Sequence, residues 1–223
     1  MRTVPLLLAA GLAGACSAGA TLCAARDALV LGWSANLAGG THHAFRDRGE
    51  GFCVFNDAAI AVRAMQAQAG LARVAVIDCD VHQGNGSASI LRGDDSAFTF
   101  SIHGARNFPF EKEESDLDIE LPDGTGDAEY LRQLERGLEE ALARSRPQLA
   151  IYLAGADPHE GDRLGRLRLS KAGLARRDET VLGELRRRGV PVAIAMAGGY
   201  GRDLEDTVDI HATTVLTARR LFA

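Results

Sequence analysis

The sequence predicts an α/β fold in three layers, with a mostly parallel central sheet covered by helices on both faces. Three observations point there. Short, strongly apolar runs recur at strand length: Arg73-Val-Ala-Val-Ile-Asp78, Leu149 to Leu153, and Val192 to Met196. Segments of helix length, bounded by cap residues, alternate with them. Near-continuous apolar runs, as opposed to runs apolar at every second residue, belong to strands buried on both faces, as in parallel sheets.

Taken in order, residues 17–31 read as a helix and Trp33 to Leu37 as a short strand. Asn56 is an N-cap for a helix that stops at Gly70. The strand Arg73 to Asp78 follows, then a strand from Ala97 to Ile102. The acidic stretch Glu111 to Glu120 reads as a solvated loop. Asp127 is placed as the cap of a helix running to Ser145, ahead of the strand Leu149 to Leu153. Ser170 caps a charged helix that ends at Gly189, with Arg186, Arg187 and Arg188 in its last turn, where cations suit the helix dipole. The strand Val192 to Met196 and a helix over 203–222 complete the chain.

The bulk properties bound the function. The chain of 223 residues fits a single domain spanning 1–223; with 46% hydrophobic and 25% charged residues it is a globular chain. A net charge of -5 argues against a dedicated nucleic-acid binder, and no segment reads as spanning a bilayer. The stretch PLLLAAGLAGACSAGA after Arg2 admits two readings, a cleaved signal peptide or an Ala/Leu/Gly-rich helix buried within the fold. The second is preferred, because the charged segment before it is minimal and the apolar stretch has no clear end. Cys16, Cys23, Cys53 and Cys79 form no C-x-x-C pair and read as buried, reduced thiols of a cytoplasmic protein.

Ligands of such sheets bind at the carboxyl ends of the strands, so unusual polar clusters should follow the strands directly. Five do: Gly39-Gly-Thr-His-His43, Asp78-Cys-Asp-Val-His82, Ser101-Ile-His103, Ala156-Asp-Pro-His-Glu160 and Gly198-Gly-Tyr-Gly201. Alternate residues on a strand share a face, so Asp78, Asp80 and His82 point the same way. Asp80 and His82, with Asp157 from a second strand, make an Asp2His set, the three protein ligands a catalytic zinc needs while keeping one position open. Taken alone, D-x-D-x-H is more often a solvated strand end; the other four clusters reverse that estimate. His42 and His43 taken alone read as a surface or packed pair, but beside a metal they could take a proton from water and return one to a leaving amine. Asp78 and Asn85 lie where they could hold the far ring nitrogens, and a carboxylate partner keeps its histidine more basic than an amide does. Tyr200, in a glycine-rich turn, could donate to an oxyanion.

Gly40-Thr-His-His-Ala44, Gly51-Phe-Cys-Val-Phe-Asn-Asp57, Asp78-Cys-Asp-Val-His-Gln-Gly-Asn-Gly86, Ser101-Ile-His103, the run from Ala154 to Gly165 and Gly198-Gly-Tyr200 resemble, in order, the motifs of the zinc-dependent histone deacetylase superfamily, in its bacterial and class IV style. The resemblance covers roughly residues 17–222. It implies an arginase/deacetylase-like fold and hydrolysis of an N-acyl-lysine amide on a peptide or protein, with Zn2+ on Asp80, His82 and Asp157. It makes His42 and His43 the acid/base pair backed by Asp78 and Asn85, and Tyr200 the carbonyl polariser. Phe52, with Gly51 and Gly199, is expected at the substrate stem. Backbone around Asp78, Ser101 and Ile102 is expected to hold a monovalent cation, K+.

Two departures stand out. Only about forty residues precede His42, where the family carries a longer segment, so the chain is expected to lack the family's N-terminal part. Thr41 stands where many relatives have Gly. Rival readings are an amidohydrolase of acetylpolyamine type acting on a small acylated amine, a two-manganese ureohydrolase, disfavoured by Asn85 in place of a carboxylate, and a truncated, non-catalytic homologue.

Overall fold

The computed structural model describes residues 3–223, with side chains from residue 11 onward. Six strands form one sheet: β1 (Trp33–Asn36), β2 (Val74–Asp78), β3 (Ala97–Gly104), β4 (Leu117–Leu121), β5 (Leu149–Leu153) and β6 (Val192–Ala195). They are ordered β1-β6-β5-β2-β3-β4, and every pairing is parallel. The helices are α1 (Thr3–Leu31), α2 (Asp57–Ala69), α3 (Asn85–Leu91), α4 (Asp127–Ser145), α5 (Lys171–Arg187) and α6 (Leu204–Phe222).

The alternation of strand side chains builds the three layers. Val74, Val76, Leu149, Ile151, Leu153, Ala193 and Ala195 pack against α1, α2 and α3. Their neighbours Ala75, Ile77, Ala150, Tyr152, Val192 and Ile194 pack against α4, α5 and α6. Strands buried on both faces account for the continuous apolar runs. In α4, Tyr130, Leu134, Leu138, Ala141 and Leu142 recur at helical spacing and are buried; each fully buried leucine contributes about 2 kcal/mol. Gly137 lets α4 approach the sheet: a Cβ there would lie 2.4 Å from Ile119 Cδ1 and 2.9 Å from Phe100.

Several expectations need correction. The stretch Glu111 to Glu120 is not all solvated loop. Its end enters the edge strand β4, where Leu117, Ile119 and Leu121 alternate with acidic residues, and β4 pairs with Phe100 to Gly104. α3 was not foreseen, because seven residues with Gly and Ser among them carry little periodic signal. Gly126, not Asp127, caps α4; the Asp127 carboxylate instead accepts from Ser170 N (2.9 Å) and Ser170 Oγ (2.6 Å). The first helix is longer than 17–31, starting at Thr3. It is not buried all round: Ala18, Thr21, Ala24, Ala25 and Ala28 face the protein, while Leu12, Val30 and Leu31 are exposed. Cys16 and Cys23 lie on that outer face, so only Cys53 and Cys79 are buried thiols. Among the described residues, no helix is long and apolar enough to cross a membrane.

Candidate metal centre and active site

The carboxyl ends of β1, β2, β3, β5 and β6 open on one rim, and four of the five polar clusters lie at or beyond those ends; the expected cluster Ser101-Ile-His103 instead lies inside β3, which runs on to Gly104. Asp80 and His82 follow β2, and Asp157 follows β5, its hydrogen-bonded neighbour. One ligand atom from each lies within 4.8 Å of the others, and all three residues are buried. His82 Nδ1 is 3.0 Å from Asp80 Oδ1 and 3.1 Å from Asp157 Oδ2. The oxygens turned away from this point are fixed by backbone: Gly198 N donates to Asp80 Oδ2 (2.7 Å) and Val81 N to Asp157 Oδ1 (3.0 Å). Two buried carboxylates facing each other is an unfavourable arrangement unless positive charge lies between them. Burial and the Asp80 charge together push Asp157 up to about 7. Two carboxylates and an imidazole nitrogen aimed at one point fit a zinc ion, whose charge would remove that repulsion.

The histidine pair lies beside this cluster. His42 Nδ1 is 2.6 Å from Asp78 Oδ2, His43 Nδ1 is 2.8 Å from Asn85 Oδ1, and the two rings are 4.1 Å apart. Burial disfavours charge on both rings, but the outcomes differ. The Asp78 and Asp80 carboxylates outweigh burial at His42 and hold it up at about 9. At His43, burial and the positive His42 ring push the pKa down to about 3. Asn85 in turn donates from Nδ2 to Glu50 Oε1 (3.0 Å).

Local structure explains how the loop holds this geometry. Asp57, wholly buried at the start of α2, accepts from Gly40 N and Thr41 N at 2.8 Å each and from Thr21 Oγ1 of α1 at 2.6 Å. Thr41 finds its reason here: its Oγ1 lies 2.6 Å from Phe55 O and 2.9 Å from Asp57 Oδ1. Asn56 caps α2 by accepting from Ala59 N and donates to the carbonyls of His42 and Ala44. Gly40, at φ +74°, cannot carry a side chain, since a Cβ would lie 2.5 Å from Ala197.

A cavity of about 570 Å³ stands over the cluster, lined by His42, His43, Asp80, His82, Asp157 and Tyr200 at its polar part and by Phe52, Phe108 and Phe110 on its aromatic wall. Phe52, with Gly51 beside it, is 86% exposed, and its ring is 6.2 Å from that of Tyr200. The Tyr200 backbone is held by Asp162 Oδ2, which accepts from Tyr200 N at 2.6 Å. Burial and the Asp80 and Asp157 charges raise the Tyr200 phenol to about 12, so it keeps its proton at neutral pH. Gly198 lines the cavity, whereas Gly199 turns toward Thr207 and His211. Asp78 and Ser101 are register partners on β2 and β3, with Ile102 next in line, all buried.

Sequence reasoning missed Phe108, whose ring stacks edge-on to His43 at 5.0 Å, and also Asp57 and Glu50. The aromatic pair in Asn107-Phe-Pro-Phe110, shortly after a strand end, was the available signal for Phe108. Asp57 closes the motif Gly51-Phe-Cys-Val-Phe-Asn-Asp57, which marked its position but not its role, and Glu50 carried no signal, since the work of both is done across the fold.

A family model of the histone deacetylase domain matches residues 5–215. An uncharacterised protein of Picosynechococcus sp. is 46% identical over 205 residues, covering 92% of this chain and 68% of its own. Histone deacetylase 2 of Arabidopsis thaliana is 37% identical, covering 82% of this chain and 48% of its own. The histone deacetylase-like amidohydrolase of Pseudomonas aeruginosa is 32% identical, covering 71% of this chain and 45% of its own. The chain thus spans about half the length of those two deacetylase relatives. Among solved structures, an acetylpolyamine aminohydrolase from Burkholderia pseudomallei superposes with a TM-score of 0.76 at 27% identity, over 92% of this chain and 62% of that one. With a domain match along nearly its whole length and relatives above 30% identity, the chain belongs to the histone deacetylase domain family.

Proposed function

We propose that this chain hydrolyses the amide of an N-acylated, foremost N-acetylated, lysine side chain, with zinc held by Asp80, His82 and Asp157. The observation that carries the reading is the unequal histidine pair, one backed by a carboxylate and one by an amide, beside a three-donor cluster at the base of an aromatic-walled cavity. Zinc, when bound, supplies a Lewis acid for the acyl carbonyl and lowers the pKa of a water. The chain supplies the rest. Phe52 and Phe108 flank the methylene stem of the lysine, with Gly51 at the mouth. Tyr200 keeps its proton and donates it in a hydrogen bond to the developing oxyanion. His43, neutral at working pH, accepts a proton from the attacking water at the nitrogen opposite its Asn85 bond, and once charged returns it to the leaving amine. His42 stays charged against Asp78 and adds positive potential beside the oxyanion. The monovalent cation expected near Asp78, Ser101 and Ile102, K+, belongs to the same proposal as a stiffener of the β2 and β3 ends.

The likeness to an acetylpolyamine aminohydrolase supports a second reading, in which the acylated amine is a small molecule. One experiment tests both. Bound zinc is measured, and acetate release is followed from an acetyl-lysine peptide and from acetylspermidine. Near one zinc per chain with faster turnover of the peptide is expected; faster turnover of the polyamine replaces the first reading with the second. His43→Ala should keep zinc and lose at least ~100-fold in turnover, as expected of a general base. Asp157→Ala should lose the metal. A fully active His43→Ala, or unchanged zinc in Asp157→Ala, would overturn the corresponding role.

A further inference from the structure

We propose that Arg177 is a positioning residue for the metal centre: its buried guanidinium ties the ends of β2 and β5 together and so sets the separation of Asp80 and Asp157. The proposal rests on the reading of Asp80, His82 and Asp157 as metal ligands.

Arg177 projects from α5 and is 0% exposed. Its Nη1 donates to Gly155 O at 2.5 Å and reaches Cys79 O at 3.4 Å. Cys79 immediately precedes Asp80, and Gly155 stands two residues before Asp157. One planar group therefore holds both ligand-bearing segments from the α5 side of the sheet. The guanidinium is itself held: Nε donates to Asp178 Oδ1 at 2.9 Å, and Nη2 lies 2.8 Å from the same oxygen. Asp178 is fixed by Tyr152 of β5, whose hydroxyl donates at 2.6 Å, and by Thr214 of α6, also at 2.6 Å.

Stability alone does not call for this pair. Desolvating two charges in a core is costly, and apolar residues of similar volume are often as stabilising or more so. What the pair adds is geometry. The two ligand segments touch at Gly155, where a Cβ would lie 2.7 Å from both Asp157 Oδ1 and Asp80 Oδ2. A slip of either carbonyl therefore moves a ligand carboxylate. A planar guanidinium with five fixed donors can serve Asp178 and two carbonyls at once; an ammonium on a flexible stem cannot.

The test measures zinc affinity, by competition with a chromophoric chelator, for the wild-type 223-residue chain, Arg177→Met, Arg177→Lys and Leu185→Ala. Leu185 is buried on the same helix, far from the ligands in sequence, and serves as the destabilised control. Cobalt absorption spectra of the same four proteins report ligand geometry. Both Arg177 variants should bind zinc roughly 10–100-fold more weakly, the size seen when groups supporting metal ligands are removed, and should alter the cobalt spectrum. Leu185→Ala should lower Tm while keeping wild-type affinity and spectrum. If Arg177→Met does not fold, Arg177→Lys, which keeps the charge beside Asp178, decides the matter. Unchanged zinc affinity in the Arg177 variants, or an equal loss in Leu185→Ala, overturns the positioning role alone. A folded wild type that takes up no zinc overturns the metal reading beneath it.

Discussion

At the scale of single residues, the site works by contrast between like groups. His42 and His43 are neighbours in sequence and in burial, yet a carboxylate partner and an amide partner separate their pKa values widely. The cysteines divide in the same way. Cys16 and Cys23 lie on the outer face of α1, while burial pushes the Cys53 and Cys79 thiols up to about 12. Since the thiolate is the reacting form, a disulfide reagent such as DTNB should titrate two thiols quickly in the folded protein and four after unfolding. Rapid reaction of Cys53 or Cys79, located by mass spectrometry, would contradict the burial described.

At the scale of elements, caps and turns do unequal work. Ser170 caps α5 by accepting from Gly173 N and donates to the Asp127 carboxylate, and its replacement by Ala should cost about 1–2 kcal/mol in urea unfolding with zinc binding intact. Asn56 caps α2 and also satisfies the carbonyls of His42 and Ala44. Asn56→Ala should therefore cost more, about 2–4 kcal/mol when cap and orphaned carbonyls are combined, and should lower activity as well. Equal losses in the two variants would show that the loop does not depend on Asn56. The turn before β3 gives a pH test. Ser96 and the Arg63 guanidinium hold the Asp94 carboxyl down at about 2. A folded value below the unfolded value of about 3.9 adds stability that is present above that pH and is lost as pH falls through the folded value. The group is mostly solvated, so screening keeps the gain under ~1 kcal/mol. Asp94→Asn should lower the unfolding midpoint slightly at neutral pH, with the difference closing in strong acid; a gap that persists there would assign the effect to another cause.

At the scale of the molecule, five loops from the carboxyl end of a parallel sheet converge on one cavity, and a metal on the candidate ligands Asp80, His82 and Asp157 would join two of them, after β2 and β5. Metal binding should thus stabilise the whole fold. A ligand present at a thousand times its Kd adds about 4 kcal/mol, which for a chain of this size raises Tm by roughly 10 °C. Chelation of zinc from the wild type should lower Tm by that order in calorimetry, and chelator should leave Asp157→Ala unmoved. A wild-type Tm indifferent to chelator would separate the cluster from the stability of the fold.

Much of this was legible beforehand, for identifiable reasons. Apolar runs such as Val74 to Ile77 and Leu149 to Leu153 marked the buried strands, because burial on both faces favours apolar side chains at successive positions. The D-x-D-x-H spacing singled out Asp80 and His82 as candidate ligands, but β2 ends at Asp78, so the bend beyond the strand, and not strand alternation, brings them to Asp157. β4 and α3 escaped because an edge strand with acidic alternate residues and a seven-residue helix draw their stability from neighbours more than from their own pattern. Which nitrogen meets which oxygen was decided only in three dimensions. The Asp57 carboxylate beneath the His-His loop and the Arg177 guanidinium behind the ligand strands act on residues 16 to 98 positions away. The sequence by itself determined the layered sheet and the identity of the chemical groups. The tertiary structure decided their partners, and with them their charges, because burial and pairing are properties of the folded surroundings.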